Sequence, residues 1–131
     1  MKTIVRALAA TALMAASVLP SMAAGGPEGI WEIEYRDSRY DINFCGDGTQ
    51  LCAELIWLGN GADNAENLPY LNTMLLEGAT PVAPGRWKGT LNLYGHKAAG
   101  TITQVGQDQL ALQGCFLAVI CKTFQLYRYT K

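Results

Sequence analysis

His96 is the single histidine of the 131-residue chain. It sits in Tyr94-Gly95-His96-Lys97, which reads as a solvated turn. A metal site or catalytic triad would rest on this one ring. Outside the N-terminal segment the chain has one serine, Ser38, within another turn-like stretch, so a Ser-His-Asp arrangement is not supported. Glu32 and Glu34 share one side of an alternating segment, the spacing of a carboxylate pair. That side is opposite Trp31 and Ile33, which makes it a solvated outer face. Gly25-Gly26 belongs to no phosphate-cradling or dinucleotide motif. The residues therefore predict no enzyme, no catalytic residue, no cofactor and no metal.

The four cysteines are Cys45, Cys52, Cys115 and Cys121. They form two local couples, Cys-x6-Cys and Cys-x5-Cys. Both spacings are wider than a usual zinc knuckle, and neither is the Cys-x-x-Cys of a redox site. Four cysteines allow three connectivities, and side-chain parity chooses among them. Tyr40, Ile42 and Phe44 alternate with Asp41, Asn43 and Cys45, so Cys45 shares the polar side. Cys52 shares its side with Glu54, across the turn sequence Gly46-Asp47-Gly48-Thr49. Cys115 continues the side of Gln113, and Cys121 that of Thr123 and Gln125. Parity predicts Cys45–Cys52 and Cys115–Cys121, each stapling a hairpin.

The elements that must carry these residues are strands. Period-two alternation recurs in Trp31-Ile33-Tyr35, Tyr40-Ile42-Phe44, Leu51-Ala53-Leu55-Trp57, Trp87-Leu91-Leu93, Leu110-Leu112 and Phe124-Leu126. Gly-, Asn- and Asp-rich turns separate the runs. Residues 62–83 are less patterned: Asp63 to Pro69 reads as a loop with a short helical turn, and Met74-Leu75-Leu76-Glu77 as a strand. The pattern predicts an all-β fold, a small antiparallel meander of about eight strands closed into a barrel. The inward candidates are Tyr35, Phe44, Leu55, Trp57, Trp87, Leu91, Leu93, Leu112 and Phe124. These rings and aliphatic chains either fill the core or line a pocket for a small apolar or aromatic guest. Phe116-Leu117-Ala118-Val119-Ile120 lies between the last two cysteines. Its apolar residues are expected to tuck into the barrel mouth, or else to form a homodimer, membrane or partner contact.

Met1 to Ala23 has the layout of a signal peptide. Lys2 and Arg6 come first, then about a dozen mostly apolar residues, then Ser21 and Ala23 at small-x-small positions. Cleavage after Ala23 leaves residues 24–131 as one domain, with eight Lys and Arg against 11 Asp and Glu. That balance argues against a nucleic-acid partner. The apolar run is short for a bilayer span, and no second one follows. An exported chain with an even number of cysteines suits a periplasmic or secreted, oxidising location.

Gly29-Ile30-Trp31, Phe44-Cys45-Gly46, Leu51 to Leu58, Arg86-Trp87-Lys88-Gly89, Leu112-Gln113-Gly114-Cys115 and Cys121-Lys122-Thr123 together resemble a bacterial secreted family catalogued as domain of unknown function 2147. The resemblance runs from residue 29 to 129 and implies a small, exported, lipocalin-like β-barrel with no established activity. The chain departs from that family's pattern at Asn64-Ala65, at Tyr94-Gly95-His96 and at Leu126. Gly29-x-Trp31 also looks like the lipocalin opening signature, whose Trp is covered by an Arg from the last strand. Arg128 has the parity for that role. A guanidinium over a desolvated Trp ring contributes ~1–2 kcal/mol, and the resemblance implies that Trp31 and Arg128 close the barrel structurally.

Overall fold

The computed structural model describes residues 25–117 and 119–131. The expected signal peptide, residues 1–23, lies outside the described residues, as does Ala118. The alternating runs are eight strands: β1 (Gly29–Ile33), β2 (Ser38–Cys45), β3 (Gln50–Leu58), β4 (Met74–Ala83), β5 (Arg86–Leu93), β6 (His96–Gly106), β7 (Gln109–Phe116) and β8 (Ile120–Arg128). Each pairs antiparallel with the next, and β1 pairs with β8, so the meander is a closed barrel. Closure gives every strand two partners.

The two ends of the barrel differ. One end carries residues 25–28 and the β2–β3, β4–β5 and β6–β7 turns. There Trp31 is fully buried, and its Nε1–H donates to the Pro27 carbonyl at 2.9 Å. The Arg128 guanidinium lies 4.4 Å from the centre of the Trp31 ring. It donates to the carbonyls of Glu28, Gly26 and Gln107 and pairs with Asp108. Ile42, Leu51, Leu76, Leu91, Ile102, Leu110 and Leu126 pack the interior above this plug. Gly100 makes room for Leu91, because a Cβ there would come within 2.5 Å of Leu91 Cγ. Phe44 and Trp87 belong to this end, ring to ring at 6.4 Å. Trp87 is buried, whereas Phe44 is 38% exposed.

The opposite end carries the β1–β2, β5–β6 and β7–β8 turns and the long β3–β4 connection. Side chains in that connection satisfy its backbone: Asn60 donates to the Arg36 carbonyl, and Asn64 accepts from the N–H groups of Glu66 and Asn67. A single 3-10 turn, Leu68–Tyr70, sits in the stretch expected to hold a short helix.

Both hairpins carry their disulfides, Cys45–Cys52 and Cys115–Cys121. Cys115 and Cys121 are register partners across β7 and β8, whereas Cys45 stands opposite Gln50 and Cys52 opposite Asn43, so the first bridge runs diagonally across β2 and β3.

Three expectations are corrected. Trp57 does not point inward. Arg39 pairs with Trp57 and Tyr40 with Leu55, so Ile56 is an extra residue and the parity of β3 flips there. Outside the barrel, Arg39 lies 3.8 Å from the Trp57 ring and 3.8 Å from the Tyr129 ring, and it pairs with Glu32. Ser38 is not a turn residue but the buried first residue of β2. The β7–β8 tip does not tuck inward: Leu117 is 85% and Val119 77% exposed. The β7–β8 turn lies beyond the reach of β1, which meets β8 only at Leu126 to Arg128.

Candidate functional site

The open end of the barrel holds a cavity of about 330 Å³. That is the lower end of the size range of small-molecule pockets. Each part of its wall has a local origin. Ile33 and Tyr35 come from the end of β1 and its turn. Ser38 and Tyr40 begin β2, and Leu55 and Leu58 end β3. Leu75 reaches it because β4 is irregular opposite β3, which lets Leu75 and Leu76 both be buried. Leu93 and Tyr94 close β5, while Leu112 and Phe124 come from β7 and β8. The β3–β4 connection adds Asn67, Tyr70 and Thr73.

The wall is mainly aromatic and aliphatic. Tyr35 and Phe124 meet edge to face at 6.4 Å, and Tyr70 and Tyr94 at 5.5 Å. Lys122 Nζ lies 5.2 Å from the Phe124 ring centre without lining the cavity. The polar groups converge at the start of β2. Ser38 Oγ donates to Tyr40 Oη at 3.0 Å. A tyrosine hydroxyl that accepts this bond keeps its own proton to donate. Burial pushes the Tyr40 hydroxyl above the usual tyrosine range. The Ser38 hydrogen bond opposes that rise, while nearby Tyr94 and Asp37 add to it. Asp37 supplies the one carboxylate of the wall.

The structure brings together only part of the expected interior set. Tyr35, Leu55 and Phe124 line the cavity, as do Leu93 and Leu112. Trp87 and Leu91 face inward but pack the closed half, where no room remains. Phe44 covers the edge of Trp87, and Trp57 is outside. Tyr40 shares parity with Ile42, the signal that could have placed it in the wall. Tyr70 and Tyr94 lie in a loop and a turn, where no alternation exists to read. Tyr94 takes φ 50° and Gly95 φ 80°, a tight hairpin turn that stands the Tyr94 ring beside the mouth.

The groups that suggested catalysis are otherwise engaged. Glu32 pairs with Arg39, and Glu34 accepts from the Gln125 N–H at 2.8 Å. His96 is exposed at the start of β6, away from the wall. Among the described residues no cluster of three His, Cys, Asp or Glu side chains could hold a metal ion. No described helix is long and apolar enough to cross a membrane.

No family model matches the chain, and neither does any curated protein sequence. One solved structure does: "Protein HP1028 from the human pathogen Helicobacter pylori belongs to the lipocalin family". The likeness covers 79% of this chain and 83% of that one, at 17% identity and a TM-score of 0.58. The barrel is lipocalin-like. At this identity the likeness concerns the fold, and the function has to be argued from the cavity.

Proposed function

We propose that this is an exported, non-catalytic barrel that binds a small apolar or aromatic molecule in its open end. The observation that carries the reading is the cavity. It is concave, walled by rings and aliphatic chains, and supplied with a few convergent hydroxyls at Ser38, Tyr40 and Tyr94. A site of that composition gains affinity from apolar burial and orientation from a few hydrogen bonds. Membership of the secreted family named above belongs to this reading; the linked residue pattern and the barrel both support it. Export is supported by the two disulfides. A mature chain starting at Ala24 would also keep every contact made by residues 25–28.

The test is titration with N-phenyl-1-naphthylamine, a neutral apolar dye that fluoresces when shielded from water. Saturable binding is expected for the native protein. Leu93→Trp, which places a larger ring in the cavity wall, should abolish it while the β-sheet circular dichroism is retained. Trp57→Ala should bind as the native protein does, because that ring is outside. Absence of saturable binding by the folded native protein, of this dye and of every small aromatic probe tried beside it, would remove the reading.

The exposed tip favours a second, contact-making role. Phe116, Leu117, Val119 and Ile120 stand together on a disulfide-stapled hairpin. A homodimer joined there should dissociate in a Leu117→Asp variant, as read by sedimentation equilibrium.

A further inference from the structure

The charge and ring content of the cavity narrow the kind of guest beyond "apolar". Five aromatic side chains line it: Tyr35, Tyr40, Tyr70, Tyr94 and Phe124. Asp37 lines it too, and no Lys, Arg or His does. In both edge-to-face pairs the ring planes stand close to perpendicular, at 81° and 89°. The wall therefore presents π faces in more than one direction. The face of an aromatic ring is the negative pole of its quadrupole, so several rings around one space attract a cation and repel an anion. A carboxylate in the same wall acts with the same sign, although Tyr35 and Tyr94 are more than half exposed and water shares the mouth.

We propose that the cavity takes a small organic cation, an ammonium group carried on an apolar or aromatic body, in preference to a neutral or anionic molecule of the same shape. This rests on the reading that the cavity is a binding site. The ammonium is held among the rings near Asp37, and the apolar body lies against Ile33, Leu55, Leu93 and Leu112. A quaternary ammonium suits the site better than a primary one. It holds its hydration water weakly, and these walls offer few acceptors to replace that water. Lys122 approaches Phe124 from outside the wall, and its charge opposes a cationic guest. It stays solvated, so its effect is screened relative to that of groups facing the guest.

Three probes matched in size and differing in charge test the proposal: phenyltrimethylammonium, tert-butylbenzene and benzenesulfonate. Binding to the full mature protein is measured by nuclear magnetic resonance titration. Phenyltrimethylammonium is expected to bind about tenfold more tightly than tert-butylbenzene, and benzenesulfonate not measurably. Asp37→Asn should weaken phenyltrimethylammonium about tenfold and leave tert-butylbenzene unchanged. If that variant does not fold, Tyr94→Leu serves instead, with the same selective loss expected for the cation. Equal or tighter binding of tert-butylbenzene or benzenesulfonate overturns the proposal and leaves the binding site standing. So does binding of the naphthylamine dye with none of the three probes. If neither the dye nor any probe binds, both readings fall together.

Discussion

Arg128 ties four stretches of chain to one another. Its guanidinium reaches the carbonyls of Gly26, Glu28 and Gln107, the carboxylate of Asp108 and the face of Trp31. Only a planar fork can satisfy so many acceptors from one side chain, and the amine of lysine cannot. Arg128→Lys is therefore expected to destabilise the protein by about 1–3 kcal/mol in urea unfolding, although the charge is retained. Trp87 is buried and donates to the Thr49 carbonyl. Trp87→Ala should cost ~3–5 kcal/mol, because it leaves both a cavity and an unpaired carbonyl. Tyr40 sets a pH dependence. Burial raises its ionisation above the 10.0 of a free tyrosine. As pH rises past 10.0 the unfolded chain loses this proton first, while the folded chain keeps it. The folded state then binds more protons, so stability falls with pH across that window. The contribution is intact below it. Tyr40→Phe should flatten the alkaline fall in unfolding free energy, and an unchanged slope would contradict the burial.

At the scale of elements, the hairpins and the bulge matter most. Cys45–Cys52 and Cys115–Cys121 close loops of sequence separation 7 and 6. Restricting loops this short in the unfolded chain stabilises by about 2 kcal/mol each. Replacing Cys115 and Cys121 together by Ser should lower the urea midpoint accordingly. The barrel should survive, because β7–β8 pairing continues down to Gln109 and Tyr127. The extra residue in β3 decides which side Trp57 takes. Beyond the bulge Leu58 faces the cavity, and the Trp57 ring lies over Gly59, where a Cβ would clash at 2.2 Å. Strict alternation predicts the opposite, and nothing in Leu55-Ile56-Trp57-Leu58 marks the bulge. β4 departs from strict alternation for a different reason. It contains Gly78 at φ 73° and Pro81, two residues that ordinarily interrupt strands.

The whole molecule divides into a packed half and a hollow half. Residues 25–28 plug the packed end, supplying acceptors to Trp31 and Arg128, and the Gly25 carbonyl accepts from Gln104. Deleting residues 24–28 would leave buried donors unpaired. It should cost about 2–4 kcal/mol and shift the tryptophan emission to the red. The open end is not expected to respond, so dye binding should persist below the new unfolding temperature. The division also explains why the expected interior residues separate into two groups. A barrel of this circumference is filled where large inward side chains meet, as Leu51, Leu91, Ile102 and Leu110 do in the buried cluster. It stays open where turn and loop residues such as Tyr35, Asp37, Tyr70 and Tyr94 complete the wall.

The strands and the hairpin disulfides are local matters of period and parity, whereas the pairing of Trp31 with Arg128 across the barrel closure is what the resemblance to lipocalins implies. A sequence carries the local matters directly, because neighbouring residues in a strand alternate by geometry. Parity states the side of a sheet a residue takes. It does not say how far along the barrel axis the residue lies, nor where an extra residue reverses the count. Those depend on strand tilt, register and bulges, which many distant pairings set together. That is why Tyr70, Tyr94 and Asp37, from a loop and two turns, join Tyr35 and Phe124 around one space only in the folded chain.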